Sequence, residues 1–97
     1  MKIAIADKNH PITKGVSDFT ILDEAYKDVY VNPKAHVLLT TDNPLSTKQV
    51  AWTHSYGKSP VFTIMLGHDK HAFANESLRT LIKQGIEWLI NERNNGK

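Results

Sequence analysis

The residues of this chain best suited to proton transfer stand together at Gly67-His68-Asp69. An imidazole can serve as base, acid or metal ligand near neutral pH, and an adjacent carboxylate adds a charge partner or a second ligand. His68 and Asp69 are therefore candidate acid/base groups, and Gly67, a candidate ligand-binding position, permits a sharp exit from the strand before it because it has no Cβ. The plain alternative for His68 is a strand-end residue that hydrogen-bonds to a neighbouring loop. His71 makes a His-x-x-His pair with His68, a chelating spacing on a helix. The pair precedes the helical pattern, however, and His71 reads first as a solvated loop residue. His10 stands before Pro11, which holds it extended and projects its ring from a turn. Asp23-Glu24 is an acidic corner, with Tyr26 close behind. Two histidines and a carboxylate converging from separate loops would match a facial metal triad or a zinc site with an open position. For His10 and the Asp23-Glu24 pair that convergence is weighed against a solvated acidic turn at 23–24. Trp52 and Tyr26 are candidate stacking surfaces for a ligand, although Trp52 reads first as a core or interface aromatic. His54 alternates with Val50 and Trp52 and reads as a packed or edge histidine.

The elements that must position these residues follow from periodicity. Lys2 to Ala6 is a short β-like run, and Pro11 to Gly15 a turn. Asp18 to Leu22 and Val29 to Val31 are short strand candidates, and Asn32-Pro33 is a turn signal. His36 to Thr41 is a strand stopped by Asp42-Asn43-Pro44. Gln49 to Ser55 alternates, with Val50, Trp52 and His54 on one face and Ala51, Thr53 and Ser55 on the other. Tyr56-Gly57-Lys58-Ser59 has hairpin length and predicts antiparallel pairing with Val61 to Leu66. That last run is almost wholly apolar, as expected of a central strand buried on both faces. Past the carboxyl end of such a strand is where open α/β sheets bind ligands. Asn75 is a candidate N-cap for a helix over 76–91, with Glu76 at its positive end. Leu78, Leu81, Ile82, Ile86, Leu89 and Ile90 form one apolar stripe, and Gly85 on or beside it would let the helix close on a sheet. The polar tail from Asn91 is expected to fray.

The expected fold is thus α/β, with α+β as the alternative: about five short strands in a mixed sheet and one long C-terminal helix on one face. One helix covers one face only. The other would be covered by the segment from Asp18 to Tyr30, by a second copy in a homodimer, or by a separate partner half, and self-association is the favoured solution.

The chain has 97 residues, one domain's worth, of which 40% are hydrophobic and 23% charged. Its net charge is +2, with scattered basic residues, so nothing points to nucleic acid. It has no cysteine, which removes disulfides, thiolate metal sites and a Cys nucleophile. The N-terminus turns polar too soon for a signal peptide, and no apolar run reaches the roughly 20 residues of a membrane span. A cytoplasmic protein with no membrane partner is expected. There is no Gly-rich phosphate loop and no Gly-x-Ser-x-Gly.

Several segments in order resemble the ThuA-like, or trehalose-utilisation, family. They are Asn9-His10-Pro11-Ile12-Thr13-Lys14-Gly15, Asp23-Glu24-Ala25-Tyr26, Val37-Leu38-Leu39-Thr40, Val50-Ala51-Trp52-Thr53, Tyr56-Gly57-Lys58, Leu66-Gly67-His68-Asp69 and Gly85-Ile86-Glu87-Trp88. The resemblance implies a class I glutamine amidotransferase-like, flavodoxin-like fold, of which residues 1–97 would be a truncated, carboxyl-terminal half. Glutamine hydrolysis is not implied, there being no cysteine. What is implied is carbohydrate metabolism, of trehalose or keto-glycosides, with a small sugar derivative as substrate. His10, Glu24, His68 and Asp69 would lie near one pocket, around a divalent metal such as zinc. The rival readings are a non-catalytic sugar-binding module and an inactive half-domain that dimerises.

Overall fold

The structure is a computed structural model that describes residues 1–21, 27, 29–67, 72 and 74–95. Among the described residues, five strands and one long helix follow in chain order: β1 (Lys2–Ile5), β2 (Phe19–Thr20), β3 (His36–Thr40), β4 (Gln49–Tyr56), β5 (Ser59–Ile64) and α1 (Glu76–Asn95). The strands form a single curled sheet in the order β2-β1-β3-β4-β5. Every neighbouring pair is antiparallel. The architecture is therefore α+β, and the expected mixed, flavodoxin-like sheet is corrected. Parallel neighbours need a crossover connection of a dozen or more residues, usually a helix. Here a two-residue hairpin joins β4 to β5, and α1 comes only after the last strand.

The β4–β5 hairpin forms as its sequence predicts. Tyr56 pairs with Ser59 across a two-residue loop, and Gly57 takes φ +60° there, a conformation open to a residue without Cβ. The pairing makes β5 an edge strand instead of the expected central one. Val61 to Ile64 are only half-buried, and Pro60, which has no amide hydrogen to give to a ladder, sits near the start of this edge. The ligand-binding rule for open parallel sheets consequently does not apply at its carboxyl end. Of the two other short strand candidates, the first shrinks to Phe19–Thr20, and the described residues Val29 to Val31 are irregular.

Ile3, Ile5, Leu38, Leu39, Val50 and Ala51 join Ile12, Ile21, Leu78 and Leu81 in the core. Both Leu38 and Leu39 are buried because the β3–β4 register shifts on either side of Leu39. Phe62 faces Thr53 across the hairpin, and directly opposed residues share a face. That face receives α1, since a Cβ built on Gly85 would fall 2.3 Å from the Phe62 ring. Gly85 therefore serves close helix–sheet approach, as its position in the sequence suggests. Trp52 lies on the opposite face and is still only 6% exposed, so the chain itself covers that part of the sheet.

The Asn75 side chain accepts the Leu78 amide at 3.1 Å, which is an N-cap, and donates to the Thr20 carbonyl at 3.0 Å. The cap thus also ties the start of α1 to the edge strand β2. The helix continues to Asn95, past the expected end. Its stripe is only partly used: Leu78 and Leu81 are buried, whereas Ile86 and Ile90 are 54% and 55% exposed. Among the described residues no helix is long and apolar enough to cross a membrane.

Replacing Gly85 with alanine should destabilise the fold by about 1–3 kcal/mol through overpacking against Phe62, despite a helix-propensity gain of about 1 kcal/mol. Denaturant unfolding measures it, and a more stable G85A protein would show that the close approach is not tight. Removing the cap with Asn75→Ala should cost roughly 1 kcal/mol in the same measurement.

Candidate functional site

Three titratable side chains meet where β1 ends and β3 begins. The chain leaves β1 through Ala6, whose amide still reaches the Leu38 carbonyl at 2.8 Å. This extends the ladder and brings Asp7 beside the first residue of β3, His36. Asp7 Oδ1 accepts the Asn9 amide at 2.9 Å, an Asx turn that fixes the carboxylate. Its other oxygen, Oδ2, lies 2.6 Å from Nε2 of His36.

The segment from Asp7 to Val16 then folds back on itself. Thr13 donates its amide to the His10 carbonyl at 3.1 Å and its hydroxyl to the Asp7 carbonyl. Gln84 of α1 donates to the Ile12 carbonyl at 2.5 Å and pins this turn to the helix. One helical turn further on, Trp88 packs against His10, with ring centroids 5.5 Å apart. His10 also lies 5.4 Å from the His36 ring. The constellation is therefore Asp7, His36, His10 and Trp88.

Protonation states follow from these contacts. The Asp7 carboxyl is held below its ordinary value by the Asn9 amide and then by His36, so it is an anion near neutrality. An anion only accepts, hence Nε2 of His36 is the donor and neutral His36 carries its lone pair on Nδ1. Nδ1 has no hydrogen-bond partner among the described residues. The pair is an orienting dyad, in which a carboxylate sets the tautomer of an imidazole. With side chains 54% and 29% exposed, it contributes little to stability. His10 is different. Its Nδ1 accepts the Ile12 amide at 3.1 Å, leaving its proton on Nε2. Partial burial, then repulsion from His36, push its pKa below 6.5, against the smaller pull of Asp7 and Glu92.

Of the residues singled out from sequence, His10 is in this constellation. Glu24, Tyr26, His68, Asp69 and His71 lie outside the described residues. Gly67 leads into the His-Asp pair with φ +95°, the sharp exit expected of it. Trp52 is a core residue, buried on β4. His54 is half-buried with a shielded, unpartnered Nδ1, as a packed histidine. As to a divalent metal, the described residues contain no group of three or more His, Asp or Glu placed to hold one. With Nδ1 of His10 taken by the Ile12 amide, only its Nε2 is left as a ligand.

Asp7 and His36 escaped sequence reasoning. They are 29 residues apart, and only the β1–β3 register joins them. The usable signal was that each stands at the end of a strand candidate.

A family model described as trehalose utilisation, ThuA, matches residues 1–89. The match spans most of the chain, and the chain belongs to that family. No curated protein and no solved structure matches it significantly.

The His10 ring should titrate below 6.5 in an NMR pH series. His36→Gln removes a like charge and should raise its midpoint, whereas Asp7→Asn should lower it further. Opposite movements would overturn the assigned contacts. Because the folded state disfavours protonated His10, its contribution to stability is full above about 6.5 and falls as the pH drops through the lowered value. Asp7, also lowered, adds a loss at lower pH still, below its ordinary carboxylate value of 3.8.

Proposed function

We propose that this ThuA-family chain acts in carbohydrate utilisation by moving a proton on a small sugar derivative at the Asp7–His36–His10 constellation. The sugar class, trehalose or a keto-glycoside made from it, comes from the family. The observation that supports the chemistry is the 2.6 Å contact between Asp7 and His36. It leaves Nδ1 of an accessible imidazole as an acceptor with a carboxylate behind it, the arrangement a general base requires. Proton abstraction from a sugar hydroxyl, or from carbon next to a keto group, would put the cation on His36 and the balancing charge on Asp7. Neutral His10 offers its Nε2 hydrogen as a donor to a developing oxyanion. The half-exposed Trp88 ring beside it presents an apolar surface on which the carbon face of a sugar can rest.

Glu24, His68 and Asp69, which the family resemblance ties to His10, belong to the same proposal as further acid/base or ligand-binding groups. So does a divalent metal shared by His10, Glu24 and His68. A homodimer or a partner half that completes the site is the corresponding proposal for assembly.

Turnover of trehalose and of its keto derivative by the purified chain tests this reading. His36→Gln should lower kcat by roughly 10²-fold or more with KM little changed, as expected of a lost proton-transfer group. Asp7→Asn should also lower kcat and should shift the pH–rate profile. Full activity in His36→Gln would overturn the assignment. Binding of the sugar without turnover by the wild-type chain would favour the non-catalytic module. Bound zinc that disappears in His10→Ala would support the metal version, and a protein that takes up no divalent ion after soaking would remove it.

A further inference from the structure

A sizeable concavity among the described residues lies away from the His-Asp constellation. It lies at the other end of the β1–β3 ladder, between β2, the start of β1 and the loop after β3, and has a volume of about 630 Å³. That is within the roughly 300–1,000 Å³ of small-molecule sites. Lys2 lines this concavity, and Asp7 stands five residues further along the chain, roughly 17 Å at the rise of an extended strand. The two places are separate.

The concavity is built, not a gap between mobile side chains. The Thr41 hydroxyl donates to the Lys2 carbonyl at 2.7 Å and closes the end of the ladder. The Thr41 amide donates to the Lys48 carbonyl at 2.8 Å, which folds residues 41–48 back as a wall. Asn43 Oδ1 takes the Leu45 amide at 2.9 Å and stiffens that wall from within. On the far side, Asp18 Oδ1 accepts the Ile5 amide at 2.9 Å and anchors the approach to β2.

We infer that this concavity is a binding site for a neutral, polyhydroxylated ligand of mono- or disaccharide size. Three features of the lining carry the inference. Its charges balance, with Lys2 and Lys48 against Asp18 and Asp42. A site for an anion or a cation would show one dominant sign, whereas alternating ammonium and carboxylate groups satisfy hydroxyls that both donate and accept. The hydroxyls of Thr20 and Thr40 and the side chains of Lys2, Asp42 and Lys48 have no hydrogen-bond partner among the described residues. The half-buried Phe19 ring and Ala4 give an apolar base for the C–H face of a sugar ring. The site stands on this geometry and not on the acid/base reading. It makes the concavity a holding site for sugar distant from the proton-transfer groups.

The test is an amide NMR titration of the full chain with trehalose, with glucose and with inorganic phosphate. Saturable shifts at Phe19, Thr20, Thr40, Asp42 and Lys48 with either sugar, and none there with phosphate, are expected. Asp42→Ala and Lys48→Met should each weaken the sugar's apparent affinity by about tenfold, the worth of one well-placed hydrogen bond to a charged group. Both side chains are exposed and outside the internal hydrogen bonds, so these proteins should fold, as an unchanged Tm would confirm. His36→Gln should leave these shifts intact even where it abolishes turnover. Shifts with phosphate alone would overturn the proposal, as would sugar shifts confined to Asp7, His10 and His36, which would leave the acid/base reading standing. No sugar-induced shift at all would overturn it too, while loss of turnover in His36→Gln would still report on the acid/base reading separately.

Discussion

The close approach of α1 to the sheet at Gly85 is the contact on which the rest of the molecule depends. With no Cβ at this position the helix can sit directly on the Phe62 ring of the edge strand. The same turn of helix carries Gln84, which pins the Ile12 carbonyl, and one turn later Trp88, which packs against His10. Helix depth, turn geometry and site geometry are therefore one constraint. A helix held off by a methyl group would lift Gln84 and Trp88 away from the segment they hold. The other end of the helix is fixed independently, by the Asn75 cap and its bond to β2.

The antiparallel register decides which side chains meet. Because β1 and β3 run in opposite directions, the end of one and the start of the other meet, and this juxtaposes Asp7 with His36. In a parallel sheet the carboxyl ends of neighbouring strands would have met instead. The opposite end of the same two strands opens into the concavity beside Lys2 and Thr41. One strand pair thus separates two chemically unlike places. One is a cluster of two imidazole rings, an indole and a carboxylate. The other is a hollow lined, among the described residues, by two lysines, two aspartates and several hydroxyls.

Much of this was legible beforehand where a local rule governs. The β4–β5 hairpin, the Asn75 cap, the helix from Glu76 and the meaning of Gly85 each depend on a few neighbouring residues, and each was read correctly. The reading of Val61 to Leu66 as central failed because an apolar run does not say on how many sides its strand is paired. The apolar stripe likewise overstated what α1 buries, since Ile86 and Ile90 share its periodicity and yet face outward. Within the site, His10 was legible from its place before Pro11. Trp52 was legible as a core aromatic.

By itself the sequence determined the element types, the helix cap, the hairpin turn and membership of the ThuA family, because these rest on local spacing and on motifs kept in order. Only the tertiary structure decided the all-antiparallel order of the strands, the pairing of Asp7 with His36 and the position of the large concavity. Each of these joins residues far apart in the chain. Strand register is settled by the collective burial of Ile3, Ile5, Leu38, Leu39, Val50 and Ala51, and no single segment carries that information.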